Sequence, residues 1–398
     1  MNRAEIVIIG GGVVGAAVAF HLAQRGVRDL LILEREARQG RGSTGAATGG
    51  VRAQFETDIN IKMSLYSIDF LKNWEFDCEY DPKGYIFFAT TDDQFEYLER
   101  NVRKQRELGV PDVDIVDAAE IGRIVPGMNT DDVTGGSFGR HDGFVNPLAI
   151  MRGFTEGALR GGARIEFGKA ATGLRVEGGR ITGVETTDGV VVCDTAVVCT
   201  GAVAAQLAAT TGIDLPVTPQ RRQIVWSRTR EPLPSDLPMV IDIGTGFHFR
   251  PAREFTHVMG NGPKPPNDGD RRDILFAYPD PDEPTSVSTS FDESFIAKVY
   301  ERAKHRADFL YGSEVVREKC RAGLYENTPD HHAILGGCGI DGLYFACGFS
   351  GHGVMHSPAT GRALSEIILD GRASFLDVSC LSLNRFEKGE QLHETAFI

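Results

Sequence analysis

Ile6-Val7-Ile8-Ile9-Gly10-Gly11-Gly12-Val13-Val14-Gly15 is a run of four branched apolar residues entering a glycine turn of the form G-x-G-x-x-G. The run reads as a buried strand, and residues 14–25 as an amphipathic helix. A second apolar run, Leu30-Leu31-Ile32-Leu33, ends on Glu34, nineteen residues after Gly15. Strand, glycine turn, helix, strand and terminal acid together form the pattern that holds a dinucleotide. Gly10 permits the tight turn, Gly12 keeps side-chain atoms off a pyrophosphate, and Gly15 lets the helix pack closely on the strand. Val13 and Val14 open the helix, whose unpaired N–H groups and positive dipole end face the phosphates. Glu34, with Arg35 beside it, stands where a carboxylate accepts hydrogen bonds from an adenosine ribose. A purely structural βαβ unit would carry similar glycines. The agreement of all five parts favours nucleotide binding.

With 398 residues, 41% hydrophobic and 24% charged, the chain can bury a large core and is expected to hold two domains. A formal charge of −13 argues against nucleic acid or an anionic membrane surface as partner. The seven cysteines (78, 193, 199, 320, 338, 347, 380) form no C-x-x-C pair, and several lie in apolar runs. Buried free thiols in a reducing compartment are the expectation. No signal peptide is read at the N-terminus, and no stretch approaches the roughly 18 apolar residues of a membrane span. A soluble, cytoplasmic protein is expected.

Residues 40–50 carry almost no side-chain bulk: Gly40-Arg41-Gly42-Ser43-Thr44-Gly45-Ala46-Ala47-Thr48-Gly49-Gly50. Such a segment lets backbone approach something flat and large, with N–H groups and hydroxyls as donors. A flexible linker is the other reading, but this run opens directly into a helical apolar period over 59–74. Further on, 85–90 reads as a strand, 94–108 and 148–161 as helices, and residues 176–181 as a hairpin. Thr195-Ala196-Val197-Val198-Cys199-Thr200-Gly201-Ala202 is another buried strand with a small-residue turn. Residues 219–320 are strand-rich, with a proline-dense stretch over 263–284 and a helix over 292–310, a composition change that marks an inserted domain. A strand over 342–346, a glycine turn over 347–353 and a helix over 357–369 close the chain. The expected architecture is α/β: a Rossmann-like cofactor domain (1–80, 147–218 and 322–398) with an inserted β-rich substrate domain of antiparallel sheet and helices (81–146 and 219–321).

The chain resembles the FAD-dependent amino-acid oxidase superfamily, which includes glycine oxidase, sarcosine oxidase, dimethylglycine dehydrogenase and the proline-dehydrogenase β subunits. The resemblance rests on GGGVVG with Glu34, on GSTGAATGGVRAQF from Gly42, on TAVVCTGA from Thr195, and on GLYENTPDHH from Gly323 followed by GFSGHGVMHSP from Gly348. The second and last pieces look closest to the proline-dehydrogenase β subunits and to a related mitochondrial flavoprotein that assists respiratory complex I assembly. The resemblance implies FAD, with adenosine on residues 10–15 and Glu34 and the flavin near Arg41, Gly42, Ser43, Thr44, Ala47, Thr48 and Gly49. It also places Ala171 beside the adenine, Thr200 and Gly201 near the pyrophosphate, and Gly323 and Tyr325 at the flavin. Independently, the backbone of Gly351, His352, Gly353, Val354 and Met355 opens a helix whose N–H groups can face the negative edge of a reduced flavin.

Departures from the relatives are informative. Monomeric sarcosine oxidases tether FAD through a cysteine where Gly323 stands, with Cys320 three residues away, so non-covalent FAD is expected. They have lysine where Met355 stands, which leaves the grip on a substrate carboxylate to Arg52. They also have a lysine that promotes reaction with oxygen, and residues 242–248 contain none; oxygen or another acceptor remains open as the oxidant.

The implied reaction is oxidation of a carbon–nitrogen bond in a secondary amine or amino acid such as sarcosine, glycine, proline or an N-substituted glycine. Arg52 is the first candidate for the carboxylate cation, because a guanidinium donates two parallel hydrogen bonds to one carboxylate; a surface ion pair is the alternative. His248, in an alternating strand of the inserted domain, and His352, between glycines at the helix start, are the other candidate catalytic residues. A role for either through packing alone competes with catalysis. His352 and His356 have a metal-ligand spacing, but no third ligand accompanies them, so no metal is expected. His331 and His332 read as structural, and Arg221 and Arg222 as a solvated strand edge, with neutralisation of a substrate acid as the other reading. Two other readings are a flavoprotein acting as an assembly or scaffold subunit, and a hydroxy-acid or glycerol-phosphate oxidoreductase of the same fold. The sequence leaves the oligomeric state open.

Overall fold

The computed structural model describes residues 2–252 and 272–395. At its centre is a six-stranded sheet in the order Ile334–Gly337, Leu343–Cys347, Thr195–Val198, Ile6–Ile9, Leu30–Leu33, Arg164–Glu166. All pairings are parallel except the antiparallel edge between Ile334–Gly337 and Leu343–Cys347. Side chains alternate between faces along a strand, so Ile6 and Ile8 pack with the helices while Val7 and Ile9 pack toward the opposite layer. Burial on both faces is why these strands read as unbroken apolar runs.

One face is covered by helix Val13–Gln24, which lies between helices Pro147–Arg160 and Gly353–Asp370. The apolar period predicts an amphipathic first helix. Instead ten of its twelve residues are buried, because it is enclosed by two helices as well as the sheet. The other face carries a four-stranded sheet that contains the hairpin Ala171–Glu177/Arg180–Thr186.

The last helix begins at Gly353, four residues before its predicted start, and takes Pro358 inside it. A proline there leaves the carbonyl four residues earlier without its N–H partner. The Ser357 hydroxyl donates to that Val354 carbonyl at 2.9 Å. This local repair lets the helix run on from the glycine turn and brings its first residues to the mouth of the parallel sheet.

A second sheet, nine-stranded among the described residues, draws strands from two stretches of the chain. Tyr85–Ala89, Val113–Val116 and Gly135–Gly139 come from the first, and Thr218–Arg228, Met239–Asp242, His248–Pro251 and Asp273–Ala277 from the second. Its pairings are antiparallel apart from the parallel contact of Met239–Asp242 with Tyr85–Ala89. Arg321–Asn327 pairs with Thr218–Arg228 and carries Gly323 and Tyr325 from this sheet toward the first one. The predicted helix over 292–310 is broken into Ser294–Arg306 and Asp308–Tyr311 at Ala307, whose backbone is extended. The proline-dense stretch over 263–284 lies partly outside the described residues.

Candidate functional site

The C-terminal ends of the parallel strands open onto the glycine turn. The Gly10 N–H bonds the Leu33 carbonyl at 2.8 Å, and the Cys199 N–H bonds the Ile9 carbonyl at 2.8 Å, so three strand ends are held side by side. This is the crevice where open α/β sheets take their ligands. Thr44 accepts the Val13 N–H at 3.1 Å, one of the unpaired donors at the helix start. Glu34 accepts N–H groups from Gly11 at 3.0 Å and Glu36 at 2.9 Å, which holds its carboxylate over the turn. Gly15 has the packing role alone: a methyl built there would sit 2.0 Å from the Gly10 carbonyl oxygen, and it does not line the cavity described below.

The small-residue segment is pinned from several sides. It contains a short helix, Ser43–Ala46, and the Ser43 hydroxyl donates to the Leu324 carbonyl at 2.8 Å. Two arginines of the second sheet bind its carbonyls: Arg321 donates to Ala46 at 3.1 Å, and the buried Arg250 donates to Thr48. The side-chain-poor sequence predicts contact with a flat ligand; nothing in it identifies the two distant arginines that hold the segment.

Arg52 follows on the short strand exit and is 4% exposed. Its guanidinium donates to the Gln54 carbonyl, lies 3.5 Å from His352 Nε2 and sits over the Phe55 ring at 3.8 Å and the Phe87 ring at 5.1 Å. Burial lowers its pKa, and the negative charges of Glu394 and Asp142 work against that shift. Asp142 in turn accepts the Ala53 N–H at 2.7 Å and the Gln54 amide at 2.8 Å, and burial raises its carboxyl to about 6. Glu394 accepts N–H groups of Glu56 at 2.9 Å and Thr57 at 3.3 Å. Arg52 lines the cavity; Asp142 and Glu394 do not.

One cavity of about 920 Å³ connects these parts. It is lined by Gly10, Gly12, Val13, Val14, Glu34 and Arg35 from the first unit, and by Arg41, Gly42, Ser43, Thr44, Ala47, Thr48 and Gly49 from the pinned segment. Ala171, Thr200 and Gly201 join them, followed by Gly323 and Tyr325, the helix entrance Gly351, His352, Gly353, Val354 and Met355, and finally Arg52 and His248. At the helix entrance Gly351 is left-handed (φ +95°), and a methyl there would fall 2.5 Å from the Tyr325 ring. Only glycine brings the turn that close to Tyr325.

The cavity also includes Tyr85, Lys169 and Glu326, which sequence reasoning missed, and Arg222, for which it preferred another place. Arg222 corrects the expectation of a solvated strand edge. Its guanidinium stands over the Tyr325 ring at 5.2 Å, whereas Arg221 pairs with Glu283 at 2.7 Å. Their opposite placement follows from the two-residue period of Thr218–Arg228. That alternation was available as a signal; the side of the sheet that faces the cavity was not.

Burial lowers the pKa of His248, His352 and His356, and nearby arginines add to the effect. His248 Nδ1 bonds the Gly246 carbonyl at 2.9 Å, which makes Nδ1 the protonated nitrogen and Nε2 an acceptor. His352 Nε2 faces an arginine donor and is likewise unprotonated. His356 bonds Ser64 at 3.0 Å, and among the described residues no group of three or more metal-ligating side chains occurs. His332 bonds Thr57 at 2.9 Å, well into the core.

A pH dependence follows from His356, whose pKa falls to about 3 in the fold. Below about pH 6.5 the unfolded chain binds a proton that the folded chain refuses, so stability is full above that pH and declines as pH drops. The slope is about 1.4 kcal/mol per pH unit for each such histidine. The melting temperature should fall between pH 7.5 and 5, and His356→Gln should flatten the decline; an unchanged slope would remove His356 as a source.

A glycine turn at the open ends of a parallel sheet, an acid at the second strand end and one continuous cavity define a dinucleotide-binding α/β protein. Residues 5–367 match the FAD dependent oxidoreductase family (DAO), and the chain belongs to it. FAD-dependent oxidoreductase domain-containing protein 1 of Xenopus laevis is 29% identical over 443 residues, spanning 99% of this chain and 84% of that protein. Mitochondrial dimethylglycine dehydrogenase of Rattus norvegicus is 26% identical over 97% of this chain, which spans 45% of its length. Among solved structures, L-proline dehydrogenase from P. horikoshii superposes with a TM-score of 0.85 at 27% identity, covering 98% of this chain and 100% of that one. Glycine oxidase from Geobacillus kaustophilus shares the fold, with a TM-score of 0.81 at 24% identity over 97% and 99% of the two chains. The cofactor of the family is FAD. The residues present fit it: Gly12 leaves the turn open to phosphate, Glu34 offers a carboxylate, and the cavity continues past the pinned segment to the helix entrance.

Proposed function

We propose that this protein oxidises the carbon–nitrogen bond of a secondary amine or amino acid, of the sarcosine, glycine, proline or N-substituted glycine type. The observation that carries the reading is Arg52, a buried cation that lines the FAD cavity while its balancing carboxylates stay out of it. Its guanidinium also faces the cavity, so a substrate carboxylate entering there would pair with it from that side. The chemistry FAD supplies when bound is acceptance at N5 of a hydride from the carbon next to nitrogen, after which the imine hydrolyses in water.

The chain's own residues orient the substrate. Arg52 fixes the carboxylate through a two-pronged contact, and the Phe55 and Phe87 rings hold the guanidinium plane. His248 keeps Nε2 as a neutral acceptor for the amine N–H, and His352 holds Arg52 in place. Met355 leaves the wall beside the helix entrance uncharged. In this reading 1–80, 147–218 and 322–398 hold the cofactor, and 81–146 and 219–321 shape the substrate end. Residues 239–250 and 260–281 would set specificity, although 260–271 lie outside the described residues. A reducing, cytoplasmic setting accords with seven free cysteines, and no helix among the described residues is long and apolar enough to cross a membrane.

The purified yellow protein should bleach anaerobically with a member of an amine panel. Turnover with oxygen against turnover with an artificial dye then assigns the acceptor. No bleaching across secondary amines, amino acids, hydroxy acids and glycerol phosphate would favour a scaffold or assembly subunit, and bleaching by the hydroxy compounds alone would favour the third reading.

FAD is non-covalent in this proposal. Gly323 offers no thiol, and the Cys320 sulfur is engaged in the second sheet, accepting the Trp226 N–H at 3.4 Å. Acid precipitation should leave the flavin in the supernatant. Flavin retained on the washed pellet would show a covalent link.

A further inference from the structure

Glu326 is a half-buried carboxyl on the cavity wall that the proposed reaction does not use. It lies near the end of strand Arg321–Asn327, where that strand meets the mouth of the parallel sheet. Its Oε2 accepts the Gly348 N–H at 2.9 Å, and a methyl built on Gly201 would come within 3.8 Å of the same oxygen. The carboxyl is therefore wedged between the turns that end two central parallel strands, Thr195–Val198 and Leu343–Cys347, and it lines the cavity with Cys199, Thr200 and Gly201.

The surroundings hold no compensating charge among the described residues. Among the described residues no arginine or lysine shifts the titration of Glu326, and burial raises its carboxyl to about 7 against the help of the Gly348 and Phe349 N–H groups. The titratable groups facing it are the Cys199 and Cys347 thiols, both raised by burial and therefore neutral. A second anion brought close to this carboxylate would be repelled with little screening. FAD brings one, because its pyrophosphate is expected along the Thr200–Gly201 turn.

We propose that Glu326 binds the dinucleotide as a neutral acid, donating a hydrogen bond to it, so that FAD binding takes up a proton. The proton comes from solvent and rests on the Glu326 carboxyl; no other bond changes. The inference rests on FAD lying along that turn and not on which amine the protein oxidises.

The test uses flavin-stripped full-length protein and added FAD, with no substrate present, so failure of the amine chemistry cannot affect it. Flavin fluorescence quenching is measured from about pH 6 to 9. The dissociation constant should be nearly flat below pH 7 and rise by up to about tenfold per pH unit above it. Glu326→Gln, which keeps a donor and cannot ionise, should bind within a few fold of the wild type at pH 6 and stay flat to pH 9. The same slope in both proteins would overturn the proposal, as would a loss of tenfold or more for Glu326→Gln at pH 6. Should the variant fold poorly, calorimetry of the wild type in two buffers of different ionisation enthalpy at pH 7.5 decides the matter. Net proton uptake on FAD binding is expected, and none would overturn the proposal.

Discussion

Arg52→Ala should raise KM for a carboxylate-bearing amine by about a hundredfold to a thousandfold, the size expected when one partner of a buried charge contact is removed. The effect is large because the guanidinium is buried and packed against Phe55, Phe87 and His352. A substrate carboxylate entering the cavity meets a cation that has little freedom left to lose. Alanine also leaves Asp142 and Glu394 without the positive charge they face, so melting temperature must be followed alongside kinetics. Arg52→Lys separates the two effects. It keeps the charge and much of the stability but loses the paired hydrogen bonds, so KM should stay raised while the melting temperature recovers. An unchanged KM in a folded Arg52→Ala protein would remove Arg52 from substrate binding.

Arg385→Ala should cost about 3–5 kcal/mol of folding stability. Arg385 and Asp330 form a two-pronged ion pair, Nε to Oδ2 at 2.8 Å and Nη2 to Oδ1 at 2.9 Å, with both side chains 1% exposed. The same guanidinium donates to the Leu381 and His332 carbonyls at 2.9 Å, and Asp330 accepts the Leu392 N–H at 3.2 Å. The pair thus joins the turn after Arg321–Asn327 to the C-terminal segment that carries Glu394. Removing the cation strands a carboxylate in the core, whereas replacing both partners with leucine-sized apolar residues should restore much of the loss. Denaturant titrations of the single and double variants measure this directly. Ion pairing holds the Asp330 carboxyl below its usual range. Its stabilisation is therefore complete above the unfolded value of about 4 and is lost as pH falls below it. Equal stability of Arg385→Ala and wild type at neutral pH would show that the pair contributes nothing.

The six-stranded sheet was legible because each of its central strands is buried on both faces and leaves an apolar run with a glycine or acid at its end. Ile6–Ile9, Leu30–Leu33 and Thr195–Val198 announce themselves in this way, and so does the bulk-free segment beside them. The second sheet was legible only as a change of composition. Its half-buried strands have weaker patterns, and pairing such as Thr218–Arg228 with Arg321–Asn327 joins residues about a hundred positions apart.

The order of residues along the chain is enough to specify the nucleotide unit, since strand, turn, helix and acid are local features whose geometry follows from backbone sterics and a period of two or 3.6. Which side chains line the far end of the cavity is a different kind of fact. Arg222 rather than Arg221, Glu326 beside the Thr200–Gly201 turn, and Arg250 reaching Thr48 across 202 positions depend on how two sheets are set against each other. That arrangement is decided by long-range packing, and packing leaves no mark in the spacing of neighbouring residues.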